Sequence, residues 1–292
     1  MNGKPFLPPV MNQPKPTPPP LEDDLGDVLE KAARHLQLGF EEIAARASVE
    51  LPRLRDALDY RSELTQAELG RLASVLHLNE VGLNALSRGA YPSANLTGLP
   101  FRLHQLPMPH GVGVANAYLI SRGGPGAVLF DTGASHAGLH RAWPKEIDRL
   151  DAVFVTHYEA EHIGGLETVL REAELPFFYG PPTGRWARNR GLHEGDSVEV
   201  AGLRVTALST PGHAAEHNCY LVTGGPAGAP GVLVSGDLIF AGSLGGGYFC
   251  CQRQMHHARR VLAVLPPETV IAPGHGPLTT VECERRFNPF LA

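Results

Sequence analysis

The stretch THYEAEHIGG, residues 156–165, places two histidines and two glutamates close together after the apolar run LDAVFV. The four residues are His157, Glu159, Glu161 and His162. If the apolar run is a strand, these side chains follow its end and can converge from one tight loop at the rim of a sheet. On these residues alone, the stretch is interpreted either as a metal site or as a solvated, charged helix N-terminus.

Three more apolar runs end in a residue that can bind a metal. STPGHAAEHNCYLV carries His213 after a Pro-Gly turn, VLVSGDLIF carries Asp237, and VIAPGHGP carries His275. Residues at the ends of strands can share one edge of a sheet, where loops usually build active sites. The repeated arrangement therefore favours a metal site over a solvated loop.

Together these motifs resemble the metallo-β-lactamase superfamily, whose signature is HxHxDH followed by a single His, an Asp and a final His in a PGHG-like turn. The segments VLFDTG (128–133) and GDLIFAGS (236–243) also match, and the resemblance covers roughly residues 100–280. It implies an α/β (α+β) fold, a four-layer αβ/βα sandwich with a two-metal site at one edge.

The resemblance also implies a role for each matching residue. One metal takes His157, Glu159 and His213, the other takes Glu161, His162 and His275, and Asp237 bridges them. Asp131 is then a residue behind the ligands that orients them. His217 lies four positions after His213, as in hydroxyacylglutathione-hydrolase-like proteins, and is interpreted either as a hydrogen-bond partner of a ligand or as a buried histidine.

The sequence departs from the family signature at two positions. Glu159 stands where the family has its second His, and Glu161 stands where it has Asp. The branch with Glu at the first position resembles the flavodiiron proteins, and two His plus one carboxylate is the ligand set of non-haem iron. We therefore favour iron over zinc for the two metal ions. The extra methylene of Glu161 predicts that the second metal is displaced or less fully occupied.

The resemblance implies a dinuclear hydrolase of a small ester, thioester or lactone. A metal-bridging hydroxide would attack the carbonyl, and Glu161 or Asp237 would relay the proton. One alternative is a di-iron protein that reduces or activates O2 or NO with an external electron donor, and another is a metal-sensing DNA-binding regulator. No residue identifies the substrate. Five side chains are as consistent with ordinary surface as with substrate contact: Tyr158, Tyr248, Arg185, Arg188 and Arg190.

The N-terminal third of the chain differs in composition from the rest. Residues 1–20 hold eight prolines and are expected to form an extended arm. Residues 21–90 contain four stretches with helical periodicity and resemble the helix-turn-helix domain of Xre/Cro-type repressors. Residues 91–292 alternate strand and helix patterns and are expected to form the metal-binding domain.

The charge of the helical segment argues against strong DNA binding. Residues 21–90 carry 8 basic and 13 acidic side chains, a formal charge of 8 − 13 = −5, whereas duplex affinity comes largely from Lys and Arg on phosphates. We expect these helices to cover part of the metal domain or to form a subunit contact in a homo-oligomer.

The bulk composition limits the partners and the compartment. The net charge of −5 and the pI of about 6.3 favour a small-molecule substrate over nucleic acid or membrane. Four cysteines form no CxxC motif, which predicts a reducing compartment. No apolar stretch reads as a signal peptide or a membrane span, so we expect a cytoplasmic protein.

Overall fold

The computed structural model describes residues 19–94 and 96–291. The predicted Pro-rich arm therefore lies outside the described residues, apart from its last two positions. Within the described ranges the helices are α1 (Leu25–Leu36), α2 (Phe40–Ala47), α3 (Leu51–Leu58), α4 (Gln66–Leu76), α5 (Glu80–Ser87), α6 (His136–Ala142), α7 (Ala160–Ile163), α8 (Leu166–Glu172), α9 (Cys251–Val264) and α10 (Val281–Phe287).

The first five helices form from local signals in the sequence. The side chain of Thr65 accepts a hydrogen bond from the backbone N–H of Glu68, and the Glu68 carboxylate accepts one from the backbone N–H of Thr65, so a capping box starts α4. Asp24 forms a similar box at the start of α1. The prediction had four helices in this region and missed α5, which follows an Asn79 cap. Whether the segment is a helix-turn-helix domain of the repressor type stays a prediction.

A first sheet contains the strand that leads to the opening motif. Its order is β1-β2-β3-β4-β5-β6, with β3 and β4 parallel. The strands are β1 (Arg102–His110), β2 (Gly113–Ser121), β3 (Gly126–Phe130), β4 (Arg149–Phe154), β5 (Phe178–Gly180) and β6 (Asn189–Gly191). Helix α6 ends at Ala142, two residues before Pro144, which cannot continue a helix.

A second sheet has the order β12-β11-β10-β9-β8-β7, and β10 and β11 are its parallel pair. Its strands are β7 (Ser197–Val200), β8 (Leu203–Ser209), β9 (Asn218–Thr223), β10 (Val232–Gly236), β11 (Val270–Pro273) and β12 (Thr279–Thr280). Each sheet therefore has parallel strands whose carboxyl ends lie side by side.

Three apolar clusters hold the layers together. Phe130, Phe154 and Tyr220 belong to the cluster between the two sheets. A second cluster joins the outer face of the first sheet to α6 and α8, for example Leu129 with Leu170. The third joins the second sheet to α9 and α10. The order helix, sheet, sheet, helix agrees with the predicted sandwich and confirms the mixed α/β class.

Helices α1–α5 share the third cluster instead of having a separate core. Val28, Leu72 and Leu83 lie in the same buried cluster as Val261 of α9 and Ile271 of β11. The Nδ2 of Asn79 donates to the carbonyl of Arg286 at 2.9 Å, which ties the start of α5 to the C-terminal helix. No helix in the described ranges combines the length and the apolar character needed to cross a membrane.

Candidate metal centre

The residues singled out in the sequence lie just after strands whose carboxyl ends face one edge of the sandwich. Asp131 follows β3, and His157 lies three residues after the end of β4. His213 lies in the turn between β8 and β9, Asp237 directly follows β10, and His275 follows β11. The parallel pairs β3–β4 and β10–β11 place these ends together, because parallel strands finish at the same side of a sheet.

At this edge the side chains form two overlapping groups that could hold metal ions. In the first group, ligand atoms of His157, His213 and Asp237 lie within 4.8 Å of one another. In the second group, those of His162, Asp237 and His275 do the same. Asp237 belongs to both: its Oδ1 lies 3.5 Å from His162 Nε2, and its Oδ2 lies 3.6 Å from His213 Nε2 and 3.5 Å from His275 Nε2.

Three of the atoms that face one another in these groups lack hydrogen-bond partners. The Nε2 atoms of His157 and His162 and the Oδ1 of Asp237 are buried without a partner among the described residues. Leaving such atoms unpaired costs about 1–3 kcal/mol each, so a cluster of them needs a ligand to account for it. Imidazole nitrogens and carboxylate oxygens are the donors that zinc and iron accept, so the site fits the implied metal ions.

The opposite nitrogen of three of these histidines is held by the surrounding protein. The Nδ1 of His157 lies 3.0 Å from the Oγ1 of Thr156, and the Nδ1 of His162 lies 3.2 Å from the Oδ2 of Asp131. The Nδ1 of His213 lies 2.8 Å from the carbonyl oxygen of Gly246. Such contacts fix the ring orientation of metal-binding histidines and leave Nε2 free for the ion.

Asp131 is placed where it can orient several parts of the site. Its backbone has a φ of 57°, in the left-handed region, and its carboxylate accepts hydrogen bonds from the backbone N–H and the hydroxyl of Thr156 at 2.7 and 2.8 Å. The same carboxylate contacts His162. Asp131 therefore ties the end of β4 to a candidate ligand, the geometry expected of an orienting residue.

His217 lies behind Asp237 and outside the two groups. Its Nε2 accepts the backbone N–H of Asp237 at 3.2 Å, and its Nδ1 lies 2.8 Å from the Oγ1 of Thr210. Burial, and then the nearby His213, lower the pKa of His217 to about 3. A neutral ring with Nε2 as acceptor and Nδ1 as donor supports the loop that carries Asp237.

The two glutamates of the opening stretch lie at the margin of the site. The Oε1 of Glu159 lies 3.0 Å from His213 Nε2, and this contact holds the pKa of Glu159 below its ordinary value. Glu161 belongs to neither group; its Oε2 lies 3.8 Å from His110 Nε2. The structure thus brings Glu159 close to a predicted metal position, whereas Glu161 faces the hairpin between β1 and β2.

The negative charges of Asp237 and Asp131 lie among the imidazole rings of the site. Burial raises the pKa of Asp237, but the neighbouring His275, His162 and His213 outweigh burial and leave that pKa below its ordinary value. Burial lowers the pKa of His162, yet the charges of Asp237 and Asp131 raise it to about 9. The carboxylate of Asp237 therefore stays ionised, as a metal ligand must be.

The sequence model of the metallo-beta-lactamase superfamily matches residues 110–275, more than half of the chain. The chain belongs to the metallo-β-lactamase superfamily. This stretch contains every histidine and carboxylate of the two groups. A hydroxyacylglutathione hydrolase of Pseudomonas entomophila is 36% identical to this chain over 139 residues, which cover 47% of this chain and 50% of the relative. The chain spans about half the length of the curated relatives it matches.

Solved structures of superfamily members have a similar fold. BLEG-1, a B3 metallo-beta-lactamase, is 27% identical, with a TM-score of 0.54 that covers 65% of this chain and 100% of that protein. TTHA1623, solved in a di-iron-bound form, is 30% identical, with a TM-score of 0.51 that covers 63% of this chain and 99% of that protein. Both likenesses support the sandwich assignment for residues beyond the helical segment.

The five side chains considered for substrate contact differ in their position relative to the two groups. Tyr248 is 74% exposed, and its ring centroid lies 5.3 Å from that of His213, so it lies at the open side of the candidate site. The hydroxyl of Tyr158 donates to the carbonyl of Pro181, and the Arg188 Nε donates to Pro176, both away from the histidines. The guanidinium of Arg190 covers the ring of Phe177. The side chain of Arg185 has no described contact with the two groups.

Several residues that support the candidate site were missed in the sequence. Thr156 directly precedes His157, and its position at the end of the strand was the only available signal. Gln254 of α9 is fully buried and donates to the carbonyls of Asp237 and Leu238 at 2.7 and 3.0 Å, with no signal in its helical pattern. A Cβ at Gly274 would lie 2.1 Å from the Asp237 Oδ1, which explains the glycine of the Pro-Gly-His turn.

Proposed function

We propose that this chain is a metal-dependent hydrolase that acts on a small thioester, ester or lactone and uses two metal ions. One observation carries the proposal: four histidines and Asp237 converge with their ligand atoms turned towards one another. Membership of the superfamily supports it, as does the likeness to hydroxyacylglutathione hydrolases over about half of their length. Among the three substrate classes, hydroxyacyl thioesters are the first to test.

Each residue of the site has a part in this proposal. Bound metal ions supply an activated water at neutral pH and polarise the carbonyl group of the substrate. His157 and His213 hold one position, His162 and His275 hold the other, and Asp237 keeps the two positions close because it belongs to both groups.

The protein surroundings of the ligands supply orientation. Asp131 and Thr156 fix the rings of His162 and His157 before a metal arrives, so that little reorganisation accompanies binding. Tyr248 lies over His213 at the open side, where the acyl or thiol part of a substrate would rest.

In this proposal Glu161, at the margin of the site, relays the proton. The carboxylate of Asp237 is 6% exposed and is committed to the histidines. Glu161 has a side chain that is 20% exposed, and its Oε2 lies 3.8 Å from His110 Nε2, so it can pass a proton between the site and solvent. This placement suits a proton carrier better than a ligand.

Iron is the metal we favour. Each group offers two imidazole nitrogens and one carboxylate, the set that suits non-haem iron, and Glu159 adds a second carboxylate beside His213. A structure that is 30% identical to this chain has been solved in a di-iron-bound form. These observations support iron over zinc without identifying the reaction.

The helical segment has a packing role in the proposal. Residues 91–292 carry the metal site, and helices α1–α5 of residues 21–90 cover the apolar outer face formed by the second sheet with α9 and α10. The helices therefore stabilise the metal domain and do not act as a DNA reader.

A thioesterase assay tests the proposed activity. The protein is loaded with metal and supplied with a hydroxyacyl-glutathione thioester, an aryl ester and a lactone in turn, and release of thiol or acid is followed. We expect hydrolysis of the thioester and its loss in His213→Ala. His193→Ala, which changes an exposed histidine, serves as the matched control and should keep the activity. A metal-loaded protein that hydrolyses none of the three classes would contradict the proposal.

A redox protein is the second candidate, and the carboxylate of Glu159 beside His213 favours it. If the chain is a di-iron protein that reduces or activates O2 or NO, exposure of the reduced, iron-loaded protein to either gas should change its absorption spectrum. An unchanged spectrum together with thioester hydrolysis would eliminate this candidate in favour of the hydrolase.

A further inference from the structure

His275 differs from the other three histidines of the site in the partner of its second nitrogen. The Nδ1 atoms of His157, His162 and His213 each have a hydrogen-bond partner that lies between residues 110 and 275. The Nδ1 of His275 is buried and has no hydrogen-bond partner among the described residues. In the proposed ligand role, the Nε2 that lies 3.5 Å from Asp237 would give its lone pair to the metal, so the ring proton belongs on Nδ1, where it needs an acceptor.

An acceptor stands close to this nitrogen, and it comes from the other end of the chain. The Oε2 of Glu22 lies 3.6 Å from the Nδ1 of His275, slightly farther than a hydrogen bond. The Glu22 side chain is 31% exposed and the His275 side chain 12% exposed. A small rotation of the glutamate side chain brings its oxygen within bonding distance of the ring proton.

The short segment that carries Glu22 is fixed in place by contacts on both sides. The carboxylate of Asp23 accepts hydrogen bonds from Lys31 of α1 and from the hydroxyl of Ser243. Lys31 also donates to the carbonyl of Leu244 at 2.7 Å. A Cβ at Gly276 would lie 3.3 Å from the backbone nitrogen of Glu22, so the two backbones pack closely. Glu22 therefore has a defined position beside the metal edge.

We propose that Glu22 is a positioning residue for the metal centre: its carboxylate accepts a hydrogen bond from the Nδ1–H of His275 and so strengthens metal binding in the group of His162, Asp237 and His275. It performs for His275 the task that Asp131 performs for His162. The inference rests on the proposed ligand role of His275. It also means that the segment leading into α1, outside the part matched by the superfamily, completes the site.

The inference predicts a change in one of two metal-binding steps. The metal-free protein is titrated with Co²⁺ against a competing chelator, which gives two dissociation constants, and His275→Ala identifies the step that belongs to its group. We expect Glu22→Ala to weaken that step by about 10–100-fold, the usual cost of removing such a partner, and to leave the other step unchanged. Glu22→Gln, which keeps an acceptor oxygen without the charge, should give an intermediate loss.

Control variants separate positioning from general damage. Glu30→Ala removes an exposed carboxylate of α1 and should leave both steps as in the wild type. Equal weakening of both steps in Glu22→Ala, or no change in either, would overturn the inference while leaving the two-metal proposal intact. A wild-type protein that binds a single Co²⁺ would overturn both.

Discussion

At the metal edge, where the two candidate metal groups lie, charged and polar side chains are buried, whereas in the N-terminal helices most of them are exposed. At the edge, Asp237 and three histidines are almost fully buried, and several of their ligand atoms have no hydrogen-bond partner in the described protein. In the helices most of the charges are exposed and several are paired with one another: Arg55 contacts Glu41 at 2.7 Å, for example.

The contrast shows where a function is to be sought. Exposed ion pairs stabilise a protein by about 0–1 kcal/mol and need no ligand to explain them. Buried polar atoms without partners are rare, so a cluster of them indicates a missing ligand. The edge is therefore the region to which we assign the function, and in our proposal the helices act as a scaffold, while Glu22, just before α1, contributes to the site.

The largest effect is expected when the carboxylate that both metal groups share is removed. Asp237→Asn keeps the shape of the side chain and loses its charge. We expect hydrolysis to fall by at least about 100-fold, since even a partner behind the ligands contributes 10–100-fold. Steady-state thioester hydrolysis by protein prepared under identical metal loading measures the effect. Activity within a few-fold of wild type would show that the buried carboxylate is structural.

A residue behind the ligands should have a smaller effect. Asn at position 131 tolerates the left-handed backbone that Asp131 adopts, with a φ of 57°. Asp131→Asn should therefore fold, but its uncharged side chain should weaken metal binding by about 10-fold or more, because it holds the Nδ1 of His162 less firmly. Chelator competition measures this affinity, and Asp148→Asn, at an exposed carboxylate, is the control. Equal affinities in the two variants would argue against an orienting role.

A buried carboxylate at the junction of the two regions should make stability depend on pH. Glu284 is fully buried and accepts hydrogen bonds from Tyr91 at 2.9 Å and from Thr279 at 2.6 Å, and burial raises its pKa from 4.5 to about 7. The folded state thus holds this proton more tightly than the unfolded state. The stabilisation that results is fully present below about pH 4.5 and is lost as pH rises through about 7.

Glu284→Gln removes this titration and tests its sign. Between pH 5 and pH 8, the free energy of unfolding of the wild type should fall by roughly 2–3 kcal/mol more than that of the variant. Urea unfolding at both pH values gives the change in the free energy of unfolding for each protein. An equal change in the wild type and in Glu284→Gln would mean that Glu284 is ionised throughout this range.

The smallest expected effect concerns DNA. The arginines that could face a groove are already paired, since Arg55 contacts Glu41 at 2.7 Å and Arg61 contacts Asp56 at 2.9 Å. We expect no binding of random duplex DNA at micromolar protein and about 50 mM salt, because phosphate contacts need free cationic groups. Fluorescence anisotropy with a labelled duplex checks this. Binding that weakens steeply with added salt would revive the regulator hypothesis.

The parts of the site that could be predicted are those with a local signal in the sequence. His157, His213, Asp237 and His275 each follow an apolar strand, and the shared edge of parallel strands brings them together. The position of Glu161 beside His110 could not be predicted, because His110 lies on a different hairpin.

The contacts that were missed depend on tertiary structure. Strand β1 pairs with β2 along nine positions, although RLHQLPMPH has two prolines and no clear alternation. The hydrogen bond from the His213 ring to Gly246 is accepted by a backbone carbonyl, which carries no residue signature. Glu22 reaches His275 from the opposite end of the chain, and only packing of α1 against the second sheet layer places it there.

Metal analysis of the protein isolated without added metal tests the central claim most directly. If the histidines and Asp237 form two metal positions, elemental analysis should find about two transition-metal ions per chain, with iron in excess after growth in iron-replete medium. Full zinc occupancy from the same medium would contradict the preference for iron. A folded chain that neither retains nor takes up a transition-metal ion would contradict the metal centre itself.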